Sequence, residues 1–163
     1  MTVAPESLTI DAPSVPAAVA ALRANGLRVS TARRLVIEAL FAAGAPATAE
    51  DLAAGLDGRL PQSDVASMYR NLDTLEQLGL VRHIHLGHGP GRYVLSGEAD
   101  AGYVTCDGCG TFAPLDATTL AAVRNLVAEH TGYEPRFTHC PIVGRCAGCA
   151  AATTTEEHDH AGR

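Results

Sequence analysis

The sequence predicts an α+β protein, helical through its first half and mixed in a smaller second half. Three observations carry this. Apolar residues recur at helical spacing from Ser14 to Gly79, and the period then changes to two. Four of the five cysteines form the pairs Cys106-Asp-Gly-Cys109 and Cys146-Ala-Gly-Cys149.

Each element rests on local signals. Residues 1–13 contain Pro and Ala without periodicity and are expected to be loose. Val15, Val19 and Leu22 define a first helix that Gly26 stops. Ser30 can cap a second helix carrying Leu35, Val36, Ala39 and Leu40, ended by Gly44 and Pro46. Thr48 opens a short third helix through Leu52 and Leu56. Ser63 is placed to cap a fourth, with Met68, Leu72, Leu75 and Leu78 on its buried face and Gly79 at its end.

After Gly79, Val81, His83 and His85 alternate with Arg82, Ile84 and Leu86. A glycine-rich turn, residues 87–91, then leads to a second strand at residues 92–95. Helices ending in a capped helix and then a hairpin are the order of a winged helix-turn-helix. In that fold the last helix enters the major groove and the wing lies beside the backbone.

Residues 96–99 read as a hinge. Strands are expected at 103–106 and 111–113, and a helix capped by Asp116 carries Leu120, Val123 and Val127 as far as Gly132. A last strand at 137–143 leads to the second cysteine pair, and residues 153–163 form a polar tail expected to be disordered. The domain plan is therefore 14–95, a hinge at 96–99, and 100–152. The second domain has so little apolar material that a metal and dimerisation must supply what its core lacks.

Composition narrows the function. No run approaches the roughly 18 apolar residues of a membrane span, and the N-terminus lacks a basic region followed by an apolar one, so a cytoplasmic protein is expected. In a reducing compartment, paired Cys-x-x-Cys spacings favour metal over disulfide. Four thiolates can close a tetrahedral Zn²⁺ site at about 2.3 Å, with Gly108, Gly110 and Gly148 easing the turns. Such a site has no open position, and no nucleophile and base stand out as a pair, so no enzyme is expected. The net charge is -6, yet all twelve basic residues are arginine, and Arg23, Arg28, Arg33 and Arg34 fall in a stretch from Ser14 to Ile37 without an acid. A locally positive face can still meet phosphate.

The run from Ser67 to Val81, Ser-Met-Tyr-Arg-Asn-Leu-Asp-Thr-Leu-Glu-Gln-Leu-Gly-Leu-Val, followed by the two cysteine pairs, resembles the ferric uptake regulator (Fur) superfamily of bacterial metal-dependent repressors. The similarity runs from about Ser14 to Cys149. It implies a homodimer with an N-terminal winged-helix domain and a C-terminal α/β dimerisation domain, binding a double-stranded operator when a sensed metal is bound. Tyr69 and Arg70 match the family's recognition-helix pair, Arg28 matches a basic residue before the second helix, and Ser67 is a phosphate-contact candidate. A tyrosine ring can pack on a thymine methyl, and an arginine can fork onto guanine or phosphate.

The resemblance also shows what has gone. Where family members place a histidine-rich run before the first cysteine pair, residues 99–105 here contain no histidine. Pro46, Val94, Ala101 and Tyr103 stand where the iron- and nickel-type hinge site has its ligands, so iron-based sensing is not expected. His83 and His85, two apart on the wing strand, project from one face. His139 matches a histidine that joins this wing pair in nickel-responsive relatives, and Asp64 stands where zinc-responsive relatives supply a carboxylate. Such a set suits Zn²⁺ first and Ni²⁺ next as the regulatory ion. Cys140 is a further candidate ligand, a small buried residue or a redox thiol, and His88 lies at the wing tip.

Two alternatives stand. Within the class, a regulator with a degenerate hinge site can respond to oxidation or to another signal, without a sensed metal. In another class, the chain is a zinc-stabilised interaction or metal-storage module, which would not need Tyr69 and Arg70 on a capped helix before a wing.

Overall fold

The structure, a computed structural model, describes residues 9–86, 89–98, 102–137 and 141–157. His88, Ala101, His139, Cys140 and residues 158–163 lie outside the described residues. The chain divides into two compact units, one built on the residues up to Ile84 with Gly91–Ala99, the other on His85–Pro90 with the chain from Asp100.

In the first unit the helices start where side-chain oxygens can take over orphan amide groups. Ser14 accepts the Ala17 N–H ahead of α1 (Val15–Ala24), and Ser30 accepts the Arg33 N–H ahead of α2 (Thr31–Ala43). Gly44 takes the left-handed conformation that ends α2. Thr48 and Asp51 form a reciprocal capping box on α3 (Ala49–Ala53).

The chain leaves α3 by a route that apolar spacing does not predict. Leu56 does not continue the helix. Gly55, Leu56, Asp57 and Gly58 all have positive φ, at 82°, 53°, 59° and 83°, and wind one left-handed turn, α4 (Gly55–Gly58). It reverses the chain so that the Leu60 N–H reaches the Gly55 carbonyl and the Ser63 N–H reaches that of Ala53.

The fourth helix expected from the sequence is α5 (Val65–Gln77), and its cap is Asp64, one residue later than expected. The Asp64 carboxylate accepts the Ser67 N–H at 2.7 Å. Ser63 instead turns its hydroxyl inward, without a hydrogen bond from the protein. Met68, Leu72 and Leu75 are buried against Leu22, Ile37 and Leu52, as the spacing requires. Left-handed Gly79 closes α5, with the Leu80 N–H bonded back to Leu75.

The hairpin pairs β1 (Val81–Ile84) antiparallel with β2 (Arg92–Leu95), Val81 opposite Leu95. Ala47 and Tyr93 exchange backbone hydrogen bonds of 3.2 and 2.8 Å, so the segment before α3 adds a bridge to the wing's outer strand. Residues 9–13, expected to be loose, are tied down: the Ile10 N–H donates to the Gly79 carbonyl at 2.8 Å, and Ile10 and Ala12 pack on the core. Ser96–Glu98, read as part of the hinge, form a 3-10 turn.

The second unit is a three-stranded sheet with two helices. β3 (Gly102–Cys106) lies between antiparallel β4 (Phe112–Leu115) and parallel β5 (Ile142–Gly144). Asp116 caps α6 (Ala117–Thr131) through the Thr119 N–H, and left-handed Gly132 ends it. Of the apolar residues expected on α6, Leu120 alone is fully buried, against Gly102, where a Cβ would come within 2.6 Å of it. Leu126, Tyr133 and Val143 are exposed. The tail expected from Thr153 is helical as far as Glu157, because α7 (Ala147–Glu157) continues from the second cysteine pair. Among the described residues, no helix is long and apolar enough to cross a membrane.

Candidate metal centre and nucleic-acid face

β3, the turn after it and the start of α7 bring four sulfurs together. Cys106 ends β3, and Cys109 sits on a turn closed by the Gly110 N–H to the Cys106 carbonyl, with Gly110 left-handed. Cys146 immediately precedes α7, and Cys149 lies in its first turn, so helical spacing aims both at one side. Gly148 sits within that helix and eases no turn, whereas Gly108 has a clear function: a Cβ there would lie 3.0 Å from the Cys149 sulfur. The two pairs are laced together by the Asp107 N–H to the Gly144 carbonyl at 2.9 Å and by an Arg145–Asp107 ion pair at 3.3 Å.

The four Sγ atoms all lie within 4.8 Å of one another, and Cys109 and Cys146 are 3.8 Å apart. Four sulfurs about 2.3 Å from a central Zn²⁺ stand about 3.8 Å apart along each tetrahedral edge, so the set fits that ion with a slight contraction. The surroundings favour thiolate. The Cys146 N–H donates to the Cys106 sulfur at 3.3 Å, and with the Cys109 N–H it brings the Cys106 thiol down to about 6. The Thr111 hydroxyl, 2.6 Å from Cys109, lowers that thiol too. Cys149, sharing hydrogen bonds first with Cys106 and then with Cys146 and Cys109, is pushed up to about 12. A divalent ion would displace that retained proton, so uptake releases protons and weakens as pH falls. Thr111 was not singled out in the sequence, where it reads as an ordinary strand residue.

The wing candidates are arranged differently. Among the described residues the four thiols are the one gathered group of three or more metal-ligating side chains, and Asp64, His83 and His85 do not make a second. β1 stops at Ile84, so the pleat expected to project both histidines from one face does not extend to exposed His85. The His83 ring stacks on Tyr93, with centroids 4.8 Å apart and planes 14° from parallel. Gly91 makes room for it, since a Cβ there would collide with His83 Nε2. Asp64 spends its carboxylate on the α5 cap and lies 3.9 Å from the Arg70 guanidinium. Asp64→Ala should therefore destabilise the first unit by about 1 kcal/mol, and Asp64→Asn by far less, read from urea midpoints; equal losses would mean that capping is not its contribution. At the positions of the family's hinge site, the Pro46 carbonyl accepts from Arg92, Val94 is buried, and Tyr103 packs edge-on against Phe112.

The other face of α5 is open. Tyr69 is 37 % exposed, Arg70 is exposed, and Ser67 is half-buried, with its carbonyl accepting from Asn71. The Tyr69 hydroxyl donates to Glu50 of α3 at 2.8 Å, and its ring meets Tyr93 edge-on. Arg28 is exposed ahead of α2, and its carbonyl accepts from Arg33. Glu50 carries no signal in the sequence, because an acid in a helix's first turn is adequately explained by the dipole.

A capped helix presenting tyrosine and arginine beside a hairpin wing, in a chain that also carries a tetrathiolate cluster, defines a winged-helix transcription regulator with a metal-binding second unit. The ferric uptake regulator family model matches residues 24–140, and the chain belongs to that family, whose members regulate transcription and are not enzymes. Among characterised relatives, the peroxide operon regulator of Bacillus subtilis (strain 168) is 29 % identical over 133 residues, covering 82 % of this chain and 91 % of its own. The peroxide-responsive repressor PerR of Staphylococcus saprophyticus is 26 % identical over 131 residues, covering 80 % and 88 %. Two solved structures share the fold. The Helicobacter pylori ferric uptake regulator aligns with a TM-score of 0.65 at 17 % identity, covering 84 % of this chain and 94 % of that one. The manganese-containing regulator from Pseudomonas aeruginosa gives 0.61 at 24 %, covering 78 % and 96 %.

Proposed function

We propose that this protein is a metal-responsive transcriptional repressor that binds an inverted-repeat operator as a homodimer. Residues 14–95 read DNA and residues 100–152 dimerise. The observation that carries this reading is the open face of α5, where Tyr69 and Arg70 stand clear of the core on a capped helix with the wing alongside. Arg28 and Ser67 add phosphate contacts. Exposed Leu126, Tyr133 and Val143 offer the second unit an apolar surface for a second copy. Zn²⁺ in the tetrathiolate supplies the cross-link that a core with so few buried side chains lacks.

The sensed ion is Zn²⁺ ahead of Ni²⁺, taken by His83, His85 and His139. Asp64 is left to its cap. Support comes from the ligand chemistry of these three imidazoles and from Pro46, Val94 and Tyr103, which offer the hinge position no usual ligand. His83 leaning on Tyr93 gives the wing a path to the reading helix.

Replacing both His83 and His85 with alanine should reduce Zn²⁺- or Ni²⁺-stimulated operator binding at least about tenfold, the loss of one or two good ligands. The tetrathiolate zinc should stay in place, as counted by metal analysis. A double variant that still responds like the parent would overturn the assignment. The names of the Bacillus and Staphylococcus relatives favour a second reading, in which peroxide is the signal. In that case peroxide releases the operator, and the two histidine substitutions leave the zinc and nickel responses unchanged.

A further inference from the structure

Tyr69 is held at both ends. Its hydroxyl donates to Glu50 Oε1 at 2.8 Å, across nineteen positions of sequence and from one helix to another. Its ring meets the Tyr93 ring at 6.4 Å and 73°, an edge-to-face contact of the favourable kind. Tyr93 is itself immobilised. It is 4 % exposed, bonded through its backbone to Ala47 in both directions, and stacked on His83. A surface tyrosine on a helix ordinarily exchanges rotamers and loses that freedom when it docks. This one is already ordered before any DNA arrives.

The tether has an electrostatic side as well. Glu50 accepts from the tyrosine and raises its pKa, first through that hydrogen bond. Its carboxylate also stands beside the face of α5 that would approach phosphate, where a negative charge opposes every duplex alike. A device that orders the base-contacting ring while opposing indiscriminate binding serves selectivity more than affinity.

We propose that Glu50 and Tyr93 are positioning residues that hold Tyr69 in one pose and so set the protein's preference among DNA sequences, while the Glu50 charge lowers its affinity for all of them. The proposal rests on the reading of Tyr69 as a base contact.

The test uses the zinc-loaded full-length protein, the duplex it selects from a random pool, and a shuffled duplex of the same composition. Glu50→Ala should lower the ratio of the two affinities about fivefold, the size of one net hydrogen bond. Tyr69→Phe, which removes the same bond from the other side, should lower it equally, and the double variant should be no worse than either. Glu50→Gln keeps an acceptor and loses the charge. It should preserve the ratio while tightening binding to both duplexes. Tyr93→Leu should lower the ratio and Tyr93→Phe should not, with folding checked by circular dichroism.

Tyr69→Ala separates the two ways of failing. If it leaves the ratio unchanged, Tyr69 reads no bases and the proposal goes with that reading. If it lowers the ratio while Glu50→Ala does not, or if Glu50→Ala retains its full effect in the Tyr69→Ala background, Tyr69 reads DNA without the tether and the proposal alone is overturned.

Discussion

Replacing Cys106 with serine should unfold the second unit while the first remains folded. Among the largest fully buried side chains of the second unit are Leu120 and Thr105, whereas the first buries Leu22, Ile37, Leu52, Leu72, Leu75, Leu80 and Val81 to the same degree. A three-stranded sheet with one well-seated helix residue cannot offset the entropy of ordering its chain by apolar burial alone. Structural zinc contributes apparent free energies on the order of 10 kcal/mol in small domains, enough to decide the matter. Cys106 is the member to remove because it is the buried one, ends the central strand, and accepts the N–H of Cys146 from the other pair. Hydrogen exchange monitored by mass spectrometry should show protection across residues 102–157 falling at least about a hundredfold, with residues 14–84 little changed. A strong chelator should do the same to the parent protein. Retained protection in both experiments would mean that the sheet and α6 are self-sufficient.

The second large effect is expected at Gly55. Its φ of +82° already disfavours any side chain, and a Cβ there would sit 2.1 Å from the backbone oxygen of Leu60, where nothing flexible can yield. Strain of this kind costs about 1–3 kcal/mol before any collision is counted. Gly55→Ala should therefore destabilise the first unit by at least about 3 kcal/mol and lower operator affinity through the population that remains folded. Asp57→Gly is the control. Asp57 occupies the left-handed region at φ 59°, and releasing it should be neutral or stabilising by up to about 1 kcal/mol. Urea melts of the two variants check both signs. If Gly55→Ala melts with the parent, the left-handed turn is not the native route from α3 to α5.

Much of this architecture was legible because the signals were local. Ser30, Thr48 and Asp116 announce helix starts through the oxygen each offers, and Gly44, Gly79 and Gly132 announce ends through the backbone region they alone enter cheaply. The two cysteine pairs declare their cluster by spacing. Failures came where two neighbours offered the same chemistry or where the deciding contact was distant. Ser63 and Asp64 are both good caps, and the chain reversal at Gly55–Gly58 decides between them. Leu56 is apolar at a helical interval, yet it buries itself from a left-handed turn, where periodicity says nothing of handedness. The polar run after Thr153 looks like a tail, but α7, started by the second cysteine pair, carries it on as helix. At the candidate site, Tyr69 and Arg70 were singled out by the family resemblance, and no periodicity or cap signal pointed to them. Glu50 was not singled out, since its partner lies nineteen positions away.

The ladder between Ala47 and Tyr93 has a mechanical consequence. It rivets the hairpin to the strip of chain between α2 and α3, so the two travel as one lever. A displacement of β2 is therefore shared by the segment that leads into α3, the helix that carries Glu50, while α5 follows β1 through residues 78–80 and through the His83 N–H on the Glu76 carboxylate. The hairpin thus has a backbone hold on both helices, on α5 by chain continuity and on α3 by the Ala47 bridge, so tilting it shifts the floor on which Tyr69 and Glu50 meet.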